Sequence, residues 1–215
     1  METIHTLLNV ILHIDVHLLS FVSTYGSLTY LALFCIIFCE TGLVVTPFLP
    51  GDSLLFAAGS ISASAGDKLS IQLLLVLLIL ASILGNKLNY LIGRALGPRV
   101  FTAKDSWLLN KKHLQEAHRF YEYHGGKTII FARFIPIIRT FAPFVAGVGY
   151  MSLKEFSFYN IVSGVLWVGS LLFAGYYFGS LPFVKEHFST VIYAIIVISL
   201  LPALIGLVCR KRAAA

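Results

Sequence analysis

Two arginines, Arg133 and Arg139, stand seven residues apart counted inclusively, inside the apolar, proline-broken stretch Phe131-Ala-Arg133-Phe-Ile-Pro136-Ile-Ile-Arg139-Thr-Phe-Ala-Pro143-Phe-Val-Ala-Gly147. An arginine near a bilayer centre costs at least ~2.5–3.5 kcal/mol on insertion scales. Such a segment therefore has to be covered by protein or open to a wet cavity, which excludes a plain lipid-facing helix. The surroundings are those of a membrane protein. Apolar residues make up 58% of the 215 positions, charged residues 12%, and mean hydropathy is +0.86. Soluble domains run about 45–50% apolar and roughly 25% charged.

One membrane domain is expected at this length, with no room for a separate soluble one. The first Lys or Arg is Lys68, so a cleaved signal peptide is not expected. The net charge of +6 reflects basic residues clustered between membrane segments and points to no nucleic-acid partner. Cys35, Cys39 and Cys209 make no CxxC pair and read as buried small hydrophobes.

Apolar periodicity divides the chain as follows. Residues 3–20 suggest an interfacial helix, whose His13 and His17 are read as surface residues and not as metal ligands. Residues 26–46 are long enough to span and carry Glu40. Residues 47–65 form a segment too short and broken to cross, predicted as a first re-entrant hairpin that begins at Pro47 and turns at Pro50-Gly51. Residues 69–93 give a second span. Residues 94–127 make a polar cytoplasmic loop with an amphipathic helix from about Asp105 to His124. Residues 128–149 are a second hairpin, formed by Pro136, Pro143 and Gly147. Spans at 153–179 and 188–208 follow, the first ending in Gly175 and Gly179 at GxxxG spacing, a weak sign of close packing.

Orientation comes from Arg94, Arg99, Lys104, Lys111, Lys112, Arg119 and Lys127 in the loop and Arg210, Lys211 and Arg212 in the tail, which place the loop and both termini in the cytoplasm. The hairpins would then enter from opposite sides. The parallel between Pro47…Pro50-Gly51…Ala57-Ala58-Gly59 and Pro136…Pro143…Ala146-Gly147 suggests an inverted repeat, the arrangement that puts transport sites near the midplane. The expected fold is thus all-α: spanning helices plus two oppositely oriented re-entrant hairpins.

Glu40, Asp52, Arg133 and Arg139 all fall at membrane depth, and their formal charges cancel. Left isolated, the four would oppose insertion by ~10 kcal/mol or more, so mutual pairing or a wet cavity is required. Arginine can hold phosphate bidentately, and a carboxylate released when substrate takes its arginine can carry a proton. A static ion-pair network is the competing interpretation, and Asp52 could simply cap the helical arm that follows it.

Glu40-Thr-Gly, Pro47-Phe-Leu-Pro50-Gly51-Asp52-Ser53-Leu-Leu-Phe-Ala-Ala-Gly59, Gly85…Tyr90-Leu-Ile-Gly93-Arg94-Ala-Leu-Gly97 and the Phe131–Gly147 stretch together resemble the DedA membrane protein family, related to the SNARE-associated Golgi/VTT-domain proteins. The resemblance covers roughly residues 30–180. It implies two opposed re-entrant hairpins, a bacterial cytoplasmic membrane location, and lipid translocation, with undecaprenyl phosphate recycling and proton dependence among the family's roles. The family's important acidic and arginine positions map onto Glu40, Asp52, Arg133 and Arg139. Asn86 stands where many members carry an acid.

The leading expectation is a flippase- or scramblase-type transporter of a lipid phosphate, with no cofactor, no metal and no catalytic residue. Arg133 and Arg139 would grip phosphate, while Glu40 and Asp52 relay protons or act as counter-ions. Membrane lipids are the partners, H⁺ or Na⁺ a coupling ion, and a homo-oligomer is compatible with the sequence. A proton- or sodium-coupled exporter of small cations is the alternative; a membrane lipid phosphatase is a remote one, and His113, His118 and His124 are read as surface-helix residues.

Overall fold

The computed structural model describes residues 24–43, 51–64, 69–102, 125–188 and 190–195. Their elements are α1 (Leu28–Gly42), α2 (Gly51–Ser64), α3 (Ile71–Thr102), α4 (Lys127–Ala132), α5 (Pro136–Val148), α6 (Leu153–Phe178) and α7 (Pro182–Glu186), with residues 190–195 also helical. There is no strand among the described residues. The expected helices at 3–20 and 105–124, the turn residues Pro47 and Pro50, and the end of the last span lie outside them.

Helix starts follow from local chemistry. Gly26, at φ +52, takes the left-handed backbone that separates α1 from the helical residues before it. Ser70 accepts a bond from the Leu73 amide at the start of α3, and Ser152 accepts one from the Glu155 amide at the start of α6. Both are N-caps. Ile135 is extended (φ −113, ψ 109) directly before Pro136, the first residue of α5, as expected of a residue preceding proline.

Two helices are long and apolar enough to cross a membrane, α3 over Ile71–Leu96 and α6, at 26 residues each. At 1.5 Å per residue each reaches ~39 Å, beyond a hydrocarbon core of ~30 Å. α3 wears its apolar side chains outward: Leu73, Val76, Leu80, Leu84, Leu88 and Leu91 are exposed, while Leu74, Leu78, Asn86, Asn89 and Tyr90 are buried. A long exposed leucine stripe opposite buried polar residues suits a lipid surround. α3 also continues to Thr102, so residues 94–102 prolong the helix where a loop is expected from the sequence.

The remaining apolar helices are short. α1 has 15 residues, ~22 Å, against the expected 26–46 span, and α2 has 14, ~21 Å. α2 is unbroken, although its sequence reads as interrupted, and it is buried almost all round, from Ser53 to Ser62. α4 and α5, of 6 and 13 residues, pack together. The chain turns between them at Arg133–Ile135, just before Pro136; Pro143 lies within α5 and does not break it. A helix tolerates proline where neighbouring groups re-satisfy the freed backbone carbonyl.

The described residues form two compact units. Unit one gathers those up to Ile36, those of 51–79, and those from Trp167 onward; unit two gathers 37–43 and those of Leu80–Leu166. In unit one, Gly59 and Gly175 let the backbones of α2 and α6 meet. A Cβ on Gly59 would overlap the Leu172 carbonyl oxygen and lie 2.9 Å from Tyr176 N, and one on Gly175 would overlap the Phe56 carbonyl. In unit two, Gly147 and Gly93 do the same for α5 and α3. A Cβ on Gly147 would overlap the Tyr90 carbonyl and lie 2.8 Å from Arg94 N, and one on Gly93 would overlap the Phe144 carbonyl. The partners recur at identical spacing, Phe-x-x-Gly on the short helix in both units, and each unit thus contains the same backbone-to-backbone contact. Gly179, against Ser60, extends it, so the GxxxG pair marks closer packing than its place near a helix end suggests. In unit two the contact is sealed by Tyr90, stacked on Phe156 at 4.3 Å and packed with Ile129, Ala146 and Met151; its hydroxyl donates to the Met151 carbonyl.

Candidate functional site

Three of the four ionisable groups singled out in the sequence fall in unit two. Glu40 sits in the last turn of α1, Arg139 in the first turn of α5, and Arg133 at the bend that ends α4. All are buried, at 0%, 4% and 2% exposure. Arg139 Nη2 donates to Glu40 Oε1, an ion pair joining positions 99 apart in the chain. Burying two charges together is tolerable only with such geometry, because each alone loses its hydration.

Arg133 is cradled by neutral groups of α6. Its Nη1 donates to Asn160 Oδ1 at 3.2 Å and Ser163 Oγ at 3.1 Å. Asn160 is held in turn: its amide nitrogen donates to the Ile83 carbonyl at 3.0 Å, and its oxygen also receives Asn86 Nδ2 at 3.1 Å. Gly164, one residue beyond Ser163, leaves room beside the guanidinium, where a Cβ would lie 3.7 Å from Arg133 Nη2. α6 therefore offers Arg133 two polar atoms, three residues apart on one buried face.

A second amide ties the ion pair's two helices together. Asn89, fully buried on α3, donates to the Thr41 carbonyl at 3.3 Å and the Thr140 carbonyl at 2.8 Å. Those residues directly follow Glu40 and Arg139. Close approach of α1 and α3 depends on Gly85, where a Cβ would lie 2.8 Å from the Phe38 carbonyl oxygen and 3.1 Å from Gly42 N.

Asp52 belongs to unit one. It lies half-buried in the first turn of α2, where a carboxylate complements the helix dipole, and its Oδ1 accepts Trp167 Nε1 at 2.9 Å. Trp167 is 1% exposed. Of the glycine and proline positions expected to shape the hairpins, Gly51 opens α2, Pro136 opens α5 and Gly147 makes the contact with α3 described above.

The sequence reading passed over Asn89, Asn160, Ser163 and Trp167. Asn89 and Asn160 were detectable in principle as polar side chains inside spanning helices, which face protein by default. Ser163 and Trp167 carry no such signal. Asn86, noted only for replacing an acid, is part of the Arg133 cradle. No group of three or more potential metal-ligating side chains occurs among the described residues. Outside the polar cluster, α4 and α5 border an open, almost wholly apolar pocket of about 300 Å³, lined by Phe131, Ala132, Ile135, Ile138, Phe141 and Val145 among others.

Two helices long and apolar enough to cross a bilayer, short buried helices and a buried arginine–carboxylate cluster define a helical membrane protein with polar chemistry held inside its fold. The chain belongs to the VTT-domain (DedA) family: the VTT domain matches residues 49–177. It is 50% identical over 215 residues to Protein DedA of Escherichia coli (strain K12), covering 100% of this chain and 98% of that one. Uncharacterized membrane protein Rv0364 of Mycobacterium tuberculosis (strain ATCC 25618 / H37Rv) is 44% identical over 182 residues, 85% of this chain and 80% of its own. Inner membrane protein YghB of Salmonella typhimurium (strain LT2) is 36% identical over 194 residues, 86% and 87% of the two chains. No solved structure matches the chain.

Proposed function

We propose that this protein is a lipid transporter of the flippase or scramblase type that moves a lipid phosphate, such as undecaprenyl phosphate, across the bacterial cytoplasmic membrane. The observation that carries it is the pair of buried guanidiniums on one short hairpin, one ion-paired to Glu40 and one cradled by Asn160 and Ser163. Guanidiniums recognise phosphate oxyanions through paired N–H donors, and a hairpin whose arms are ~9 and ~20 Å long cannot cross the bilayer alone. It enters and returns, and a headgroup follows it. Recurrence of one glycine contact in both units supports an internal repeat, and the inverted orientation suited to alternating access is part of this proposal.

Transport would proceed by exchange of partners. An incoming phosphate competes with Glu40 for Arg139, and the released carboxylate takes up a proton, coupling lipid movement to the proton gradient. Asp52 serves as a second counter-ion or proton carrier, held by Trp167. The apolar pocket on the hairpin's outer side suits the hydrocarbon tail, so the headgroup alone leaves lipid.

Reconstituted leaflet assays test this directly. Wild-type protein in proteoliposomes should translocate undecaprenyl phosphate, and folded Arg133→Ala and Arg139→Ala variants should lose at least tenfold in rate. Wild-type rates in both variants would refute the assignment. An imposed proton gradient should change the rate for wild type and have a smaller effect on Glu40→Gln.

A further inference from the structure

Two buried side-chain oxygens of unit two accept no hydrogen bond from any described residue: Oδ1 of Asn86 and Oδ1 of Asn89. The residues are 2% and 0% exposed and lie three apart on α3, one turn along the same face. Which end of each amide is oxygen follows from its partners. Asn89 meets two backbone carbonyls, which only an NH₂ group satisfies. Asn160 gives its nitrogen to the Ile83 carbonyl, so its oxygen is the atom that receives Arg133; Asn86 must then bring its own nitrogen to that oxygen. Both amides have committed nitrogen to protein and turned oxygen elsewhere.

The two amides belong to the network that holds the groups proposed above to bind phosphate. Asn86 shares the Asn160 oxygen with Arg133, and Asn89 links the residues that follow Glu40 and Arg139. A buried acceptor without a donor is unfavourable, the more so within hydrocarbon. A bare oxyanion cannot relieve it, because it too is only an acceptor.

We propose that Asn86 and Asn89 form a donor-recognising half of the site, resting on the transport reading above: the arginines take a phosphate oxyanion and the asparagine oxygens take an O–H or N–H of the same ligand. The ligand class is a phosphate that carries its own donor. A monoester in its monoanionic form has a hydroxyl on phosphorus; a diester has a donor only when its headgroup bears an ammonium or hydroxyl. Dialkyl phosphates and quaternary-ammonium diesters have none.

Binding to the purified full chain in nanodiscs, measured by displacement of a fluorescent lipid, separates these cases. At about pH 5, below the second phosphate ionisation near 6, a long-chain alkyl phosphate and its O-methyl ester each carry one negative charge and differ by one P–O–H. The monoester should bind roughly tenfold more tightly, the discrimination expected when a site built for a donor meets an analogue lacking it. A second arm compares phosphatidylethanolamine with phosphatidylcholine. Preference in the first arm assigns the donor to phosphorus, preference in the second assigns it to the headgroup, and either supports the proposal. Asn86→Leu and Asn89→Leu should bring the preferred ratio toward one. If these variants do not fold, the wild-type ratios still decide. Equal affinity within both pairs for the wild-type protein overturns the inference, the oxygens then being satisfied by water. Arginine-dependent binding without donor discrimination sinks this inference alone, whereas no binding of any of the four lipids sinks the transport reading with it.

Discussion

Removing Glu40 while Arg139 stays in place leaves a guanidinium buried without its carboxylate, and the structure sets the scale of the damage. Both side chains are at or below 4% exposure, so neither can regain water without local unfolding. Breaking such a pair from one side costs ~3–5 kcal/mol. For a chain of this size each kcal/mol corresponds to roughly 2–4 °C in Tm, so Glu40→Ala and Arg139→Ala should each melt ~6–20 °C lower. Taking away both charges abolishes the desolvation problem, and the double variant should be more stable than either single one. The assay is thermal unfolding in detergent for all four proteins, read as a double-mutant cycle. Losses that simply add would show that the two side chains do not depend on one another, and the reasoning from burial would be wrong.

Other consequences are equally open to measurement. Gly59→Ala and Gly147→Ala force a Cβ onto a backbone carbonyl and should each lower stability by at least ~1–3 kcal/mol; Gly169→Ala, with nothing within 4 Å, should be neutral or stabilising by up to ~1 kcal/mol, and thermal melts compare all three. Trp167→Phe removes a donor to Asp52 and should cost ~1–3 kcal/mol by the same method. Arg133→Lys keeps the charge but loses the planar guanidinium, whose Nη1 donates to both Asn160 and Ser163; lipid transport in proteoliposomes should fall about tenfold or more although the variant inserts normally.

The class of protein was legible in composition and pattern. Long apolar runs at 71–96 and 153–178 admit one solution in a bilayer, because a helix satisfies all its own backbone groups. The helix break before Pro136 follows from proline sterics, and the need to cover Arg133, Arg139 and Glu40 follows from the cost of charge in hydrocarbon. Boundaries were less legible. Nothing in Arg94–Thr102 forbids helix except Pro98, and α3 carries on through it; Pro143 and the small residues of Gly51–Ser64 read as interruptions, yet both segments remain helical once neighbours enclose them.

Pairing was decided by the tertiary structure alone. Four charges that sum to zero can be matched in more than one way, and Glu40 meets Arg139 only because α1 and α5, 99 positions apart at the contact, are drawn to the same stretch of α3 by Asn89 and Gly85. Cβ-free contacts at Gly59, Gly93, Gly147 and Gly175 and the asparagine network around Arg133 are likewise non-local. Periodicity along a chain tells which residues share a face. Which face then meets which depends on shape and hydrogen bonding between segments far apart in sequence, and that is settled only when the helices pack.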